Sequence, residues 1–163
     1  MPIYTRTGDT GSTLLYDGVQ VDKDDTVVEV CGNIDELSAS LGVVRANGVP
    51  KQCENIILRI QQELISFCTD IVFGTATISP EHVQQIESEI DLIESELPAI
   101  KQFVIAGENR NSAMLHFSRT ICRRAERSLA TLCRTKKTSP HLVAYLNRLS
   151  DLLFVLARKA ASD

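Results

Sequence analysis

The chain has 163 residues, 44% of them hydrophobic and 23% charged, enough for one domain with a substantial core. A net charge of −4 leaves no global basic footprint for nucleic acid, and an aromatic share of 5% with no Trp leaves little for base stacking. No segment approaches the roughly 20 apolar residues of a membrane span, and the first residues, MPIYTRTGDTGST, lack the apolar stretch of a secretory signal.

Residues 1–25 are rich in Gly, Thr, Ser and Asp and carry no helical period, which predicts a loop with short extended pieces. From there the pattern is helical with one interruption. Val30, Ile34, Leu37, Leu41 and Val44 step by four and three, predicting a first helix from about Val27 to Ala46. Cys53, Ile56, Ile60, Leu64, Phe67 and Ile71 predict a second over Lys51 to Phe73. A third begins at Pro80 with Ser79 as its cap, carries Val83, Ile86, Ile90, Ile93 and Leu97, and ends before Pro98. Residues 99–109 break the period and contain the apolar run Phe103-Val104-Ile105, which predicts an extended connector. A fourth helix follows from about Asn111 to Cys133. A fifth starts at Ser139-Pro140 and runs to about Ala160. Five helices with short joints predict a single all-α domain, a helix bundle spanning 1–163 with residues 26–160 as the bundle.

The five cysteines, at 31, 53, 68, 122 and 133, form no CxxC pair and have no His at zinc spacing. Cys31, Cys53, Cys68 and Cys122 fall on or beside apolar helical positions. They read as buried thiols in a reducing, cytoplasmic compartment.

Four features carry candidate chemistry. In RTICRRAER, residues 119–127, Arg119, Arg123 and Arg127 recur every fourth residue and share one helix face. Like charges at that spacing repel, so the stripe needs an anion: the chain's own carboxylates, a partner's, or a phosphate chain. On a helical wheel Met114, Ile121, Cys122, Ala125, Leu129 and Leu132 form the apolar arc. Arg119, Arg123 and Glu126 border it, with His116 beside them. Arginine rather than lysine favours phosphate oxygens. The fifth helix, YLNRLSDLLFVLAR, is apolar almost all round, yet Asn147, Asp151 and Arg158 project from a narrow face. These are either an internal Asp151–Arg158 or interhelix salt bridge or, for Asn147, a ligand contact with both a donor and an acceptor. On the first helix, Asp35 lies off the apolar stripe beside Cys31, Ala39 and Gly42. Those small neighbours let another helix or subunit approach. In TRTGDTGST, residues 5–13, the glycines allow successive N–H groups to curl round an anion. The hydroxyls add donors, and Asp9 could hold Mg²⁺ or its waters. Lys23 follows at a distance from which it can fold back on a phosphate.

Four segments together, YTRTGDTGSTLL, CGNIDELSASLG, LHFSRTICRRAER and YLNRLSDLLFVLAR, resemble the PduO-type ATP:cob(I)alamin adenosyltransferases in order and spacing across nearly the whole chain. The resemblance implies a five-helix bundle that assembles as a homotrimer with active sites between subunits. It implies transfer of the 5′-deoxyadenosyl group of ATP to cob(I)alamin, with Mg²⁺, releasing triphosphate. Thr5, Thr7, Gly8, Asp9, Gly11, Ser12, Thr13 and Lys23 resemble the ATP triphosphate cradle. Arg119, Arg123, Glu126 and Asn147 resemble its helical ATP contacts. Asp35 and Arg119 resemble an intersubunit salt bridge, and Phe103 the aromatic that displaces the lower axial ligand of cobalt. Implied partners are a cobalamin reductase and a cobalamin-dependent acceptor enzyme. After Phe103 the family usually shows Pro-Gly-Gly or Pro-Gly-Ser, where this chain has Ala106-Gly107-Glu108. The competing reading is an adenosylcobalamin-binding escort with weak or no catalysis. An escort could dispense with Asp9, Lys23, Arg119 and Asn147, all present here. A ligand-free trimeric scaffold leaves the glycine loop and Asn147 unexplained.

Overall fold

The structure is a computed structural model that describes residues 3–4 and 6–162. Thr5, counted above in the N-terminal loop, lies outside the described residues. In chain order the elements are β1 (Ser12–Leu14), β2 (Gln20–Asp22), α1 (Thr26–Ala46), α2 (Lys51–Phe73), α3 (Pro80–Ser95), α4 (Arg110–Leu132) and α5 (Pro140–Ser162). The helices fall within a few residues of their predicted ends. The all-α expectation needs one amendment. Short extended pieces in the N-terminal loop pair as an antiparallel hairpin, with Ser12 opposite Asp22 and Leu14 opposite Gln20. The Asp17 carboxylate closes its turn by accepting from the Val19 N–H at 3.0 Å.

Local chemistry sets the boundaries. Asp25 caps α1 by accepting from the Val27 N–H at 2.7 Å. Gly74 ends α2 in the left-handed region, at φ 70°, where a side chain would be strained. Asn109 caps α4 through Ser112 N–H at 2.9 Å, and its amide also donates to the Ala160 carbonyl near the end of α5. One residue thus starts α4 and fixes it against the last turn of α5.

The helices pack side by side. α1 lies between α2 and α4, and α5 lies between α4 and α3. The apolar stripes read from the sequence form the core: Ile34, Leu37 and Leu41 of α1, Ile60, Leu64 and Phe67 of α2, Leu129 of α4, and Leu149, Leu153 and Leu156 of α5 are all buried. A polar clasp ties α2 to α3 and α5. Glu63 accepts from Tyr145 Oη at 2.6 Å and from Arg59 at 2.5 Å, and Arg59 reaches Glu89 at 2.6 Å. Burial pushes the Tyr145 hydroxyl and the Glu89 carboxyl up from their ordinary pKa values. All five cysteines are free. Cys53, Cys68 and Cys122 are buried as expected, whereas Cys31 is half-buried because it stands beside the stripe rather than in it.

Asp70 holds the α2–α3 joint. Its carboxylate accepts from the N–H groups of Thr77 at 2.9 Å and Ile78 at 2.8 Å, and from the Thr75 hydroxyl. Burial pushes its pKa up, but the bonds from Ile78, Thr75 and Thr77 outweigh that and hold it below the ordinary aspartate value. The stabilisation is therefore complete above the ordinary aspartate range and is lost as pH falls through the depressed folded value. Asp70→Asn, which turns an NH₂ toward those donors, is expected to cost about 2 kcal/mol in urea unfolding at pH 7. That gap should narrow as the pH falls below about 4, where the unfolded chain takes up the proton first, and close as the pH passes the depressed folded value.

Candidate functional site

α4 has two neighbours to satisfy, α1 and α5, and the positions of its charges follow from that. Ile121, Cys122, Ala125, Leu129 and Leu132 are buried as predicted, with Met114 half-buried at the edge. His116 differs from its expected border position. It is 4% exposed, because α4 is covered on two sides near its N-terminus and Leu115 and Ser118 are buried as well. Its ring meets Phe154 of α5 edge-on at 5.9 Å, and neither ring nitrogen has a hydrogen-bond partner. Burial, chiefly, holds its pKa below the ordinary value, with the Arg119 charge adding to the effect and Glu108 opposing it.

The arginine stripe splits. Arg124, one residue off the stripe, reaches across to α1 while staying exposed: it pairs with Glu36, and its Nε donates to the side-chain oxygen of buried Asn33 at 2.9 Å. Asn33 in turn donates to Glu29 and to Ser128. Arg124 thus stays in solvent, and α1 supplies its carboxylate. Among the described residues no carboxylate pairs with Arg119, Arg123 or Arg127. Arg119 is half-buried, its guanidinium lies over the Phe154 ring at 5.9 Å, and its buried Nε has no partner. Arg123 is exposed. A buried guanidinium N–H without an acceptor is costly, and an anion at this border would relieve the cost.

Next to these cations, Asn147 of α5 donates to Glu126 of α4 at 3.0 Å. Its oxygen accepts from Arg148 Nη1 at 2.7 Å, and Arg148 Nε is held by Glu87 of α3 at 2.7 Å. The amide is therefore oriented by partners at both ends. Arg148 was not singled out by the sequence reading, although it stands beside Asn147. The Asp151–Arg158 pairing considered above does not form: Asp151 lies 3.9 Å from Arg148, and Arg158 lies 3.8 Å from Glu94 and donates to the Pro98 carbonyl.

The other expected site residues sit elsewhere in the chain. Residues 6–11 form two successive turns, with Asp9 N–H donating to Arg6 O and Gly11 N–H to Gly8 O, each at 3.3 Å. Arg6 at φ 62° and Gly11 at φ 91° both take left-handed backbone, which curls the loop. Lys23 folds back on it: a Cβ on Gly8 would stand 3.3 Å from Lys23 Nζ, and Lys23 N–H donates to Gly11 O at 2.9 Å. Thr7 and Asp9 are exposed, Ser12 Oγ accepts from Gln20 at 2.9 Å, and Thr13 is half-buried in β1. Asp35 is exposed on α1 and lines a cavity of about 550 Å³ with Tyr16 of the hairpin turn and Ile65, Cys68 and Phe73 of α2. Asp35 and Arg119 do not meet within one chain. Phe103 is fully exposed on the connector, which curls around a concavity of about 850 Å³ closed by Arg158.

Fold and site define a helix-bundle protein with an unpaired cationic border on α4 and a curled, lysine-backed N-terminal loop. The cobalamin adenosyltransferase family model matches residues 3–160, and the chain belongs to that family. It is 39% identical to a corrinoid adenosyltransferase of Citrobacter freundii over 96% of this chain and 93% of that protein. It is 35% identical to the corrinoid adenosyltransferase PduO of Salmonella typhimurium over its whole length, but spans only 51% of that relative. Among solved structures, a variant PduO-type ATP:corrinoid adenosyltransferase of Lactobacillus reuteri complexed with ATP superposes with a TM-score of 0.92 at 30% identity, covering 98% of this chain and 94% of the other. A second variant of that protein, complexed with cobalamin and ATP, gives 0.91 at 29% identity, covering 99% and 94%. No helix among the described residues is long and apolar enough to cross a membrane.

The split stripe makes a contrast that unfolding experiments can read. Arg124→Ala removes an ion pair and one donor to buried Asn33, and is expected to lower stability by about 1–2 kcal/mol. Arg123→Ala, exposed and unpaired, is expected to change it by less than about 0.5 kcal/mol. Equal losses in urea titrations of the two variants would mean that the partners do not distinguish them.

Proposed function

We propose that this chain transfers the 5′-deoxyadenosyl group of ATP to cob(I)alamin, giving adenosylcobalamin and triphosphate, in the cytoplasm and as a homotrimer with active sites between subunits. The observation that carries the reading is the half-buried Arg119, unpaired and with an orphaned Nε, beside the Asn147–Glu126 pair. An anionic ligand with a polar head answers both groups at once, and ATP is such a ligand. The binding of ATP and cobalamin by structural relatives supports the assignment.

In the reaction the cobalt electron pair forms the new bond to the 5′ carbon, the 5′ carbon–oxygen bond breaks, and its electrons leave on the triphosphate. The nucleophile belongs to the cobalamin, so the protein needs no Ser, Cys or His nucleophile of its own. Its work is to hold ATP in line and to stabilise charge on the leaving triphosphate. Thr5, Thr7, Gly8, Asp9, Gly11, Ser12, Thr13 and Lys23 form the triphosphate cradle in this proposal. Arg119, Arg123, Glu126 and Asn147 form the helical contacts. Among the described residues no cluster of three His, Cys, Asp or Glu side chains makes a metal site. Asp9 is the residue that would hold Mg²⁺, directly or through water, and the ion would supply charge neutralisation on the phosphates. Phe103 covers the lower face of cobalt and keeps the axial base away.

Separation of the site residues supports the trimer in this proposal. Asp35 lies on α1, in a cavity shared with Tyr16 and α2, whereas Arg119 and Asn147 lie on α4 and α5. Asp35 of one subunit paired with Arg119 of the next brings the halves together. The exposed apolar surface around Asp35, from Tyr16, Ile65 and Phe73, suits coverage by a neighbour. A cobalamin reductase and a cobalamin-dependent acceptor enzyme complete the expected partners.

The direct test is anaerobic mixing with chemically reduced cobalamin and Mg-ATP, following the cobalamin spectrum and triphosphate release. Absence of both products would overturn the transferase reading and leave the escort. Arg119→Ala is expected to slow adenosylation at least tenfold, about 1.4 kcal/mol of barrier, with the helical circular dichroism retained. Near-normal turnover would mean that the arginine is only structural.

A further inference from the structure

His116 is a polar side chain buried without a hydrogen-bond partner, and the reaction proposed above does not use it. It lines a separate small cavity of about 180 Å³, between the end of the connector, α4 and the last turns of α5. The polar wall of that cavity consists of Glu108, Ser112, His116, Arg158 and Ser162. Glu108 and Arg158 also border the large concavity around which the connector carries Phe103, so the two spaces adjoin.

The chemistry of the wall selects its occupant. Glu108 contributes one negative charge and Arg158 one positive, and burial favours a neutral imidazole on His116. A phosphate would meet the Glu108 carboxylate, and a metal ion would find too few ligands. An apolar group would leave both ring nitrogens of His116 unpaired. A neutral group with both a carbonyl acceptor and an NH₂ donor satisfies the set. Its oxygen accepts from Arg158 or from a ring N–H, and its NH₂ donates to Glu108 or to the unprotonated ring nitrogen. Arg158 has donors to spare, since its five N–H groups serve only Pro98 O and a 3.8 Å contact with Glu94. Primary carboxamides on short flexible arms are what the rim of a cobalamin corrin presents. An arm entering here would reach across the connector, whose Pro98 carbonyl Arg158 already holds.

We infer that the Glu108–His116–Arg158 cavity is a subsite for one peripheral carboxamide arm of the corrin. This rests on the cobalamin reading above, and it gives Glu108, where the family usually has Gly or Ser, the task of accepting from the amide NH₂. The subsite fixes the corrin in its own plane, a task that an apolar contact from Phe103 does not perform.

The test measures equilibrium binding of cob(II)alamin, which has the same rim but does not attack ATP, by anaerobic dialysis with saturating Mg-ATP. The probes are cobalamin and its peripheral monocarboxylic acids, each with one carboxamide hydrolysed to a carboxylate. Wild-type protein is expected to bind one of these acids at least tenfold more weakly than cobalamin, because that carboxylate faces Glu108, and to bind the others within threefold. Glu108→Gln, on the exposed connector, should recover at least fivefold of the lost affinity. His116→Leu should weaken cobalamin itself at least fivefold while ATP binding and helical circular dichroism stay as in the wild type. Equal binding of all the acids by the wild type would overturn the subsite and leave the transferase reading standing, as would an acid penalty that Glu108→Gln does not relieve. Failure of the wild type to bind any corrinoid would overturn both.

Discussion

The need of α4 to bury itself against α1 and α5 together organises the molecule. A helix covered on two sides has only a narrow border left for charge, yet this one carries four arginines between residues 119 and 127. One of them, Arg124, turns toward α1 and is neutralised there by Glu36 and Asn33. The others keep their charge. Arg119 is held against Phe154 with part of its guanidinium already out of water. Arg119, Arg123 and Arg127 thus keep the repulsion of their shared face, while Arg124, off that face, is the one that is paired. In the proposed function this is preorganisation: the cost of bringing cations together and desolvating one of them is met by packing before ATP arrives.

The rest of the bundle keeps this border rigid. The Arg59–Glu63–Tyr145–Glu89 clasp ties α5 to α2 and α3. Arg148, anchored on Glu87, then orients Asn147 so that its amide N–H meets Glu126. A side-chain amide free to flip would offer a donor or an acceptor at random. Here both of its ends are assigned by neighbours on three helices. The N-terminal loop works differently: its shape comes from two tight turns and from a lysine folded over a glycine.

The family resemblance and the matches to relatives agree on the architecture, and the physical features of this chain explain why the architecture tolerates sequence change. Most core positions need only apolar volume at helical spacing. The arginine border, the Asn147–Glu126 pair and the Gly8–Lys23 contact need particular groups. Ala106-Gly107-Glu108 is a place where this chain follows its own course, and Glu108 brings a carboxylate to a cavity that already holds Arg158 and an unpartnered imidazole.

The five helices were legible in the sequence because apolar residues at steps of three and four, with Ser-Pro starts for two of them, leave few alternatives. The paired strands within residues 12–22 were not, since three-residue strands carry no usable period. The arginine stripe, Asn147, Asp35 and the glycine loop were visible as residue types at suggestive spacing. Their partners were not. A helical wheel treats one helix against one core, so it left His116 at a border and gave Arg124 no mate. Packing α4 between α1 and α5 buried the first and brought Glu36 to the second, which stays exposed. It likewise separated Asp151 from Arg158, giving each a nearer partner in Arg148 and Glu94. Local pattern determined which residues are helical and which face is apolar. Only the assembly of the helices decided which charges are neutralised and which remain, because that depends on residues far apart in the chain.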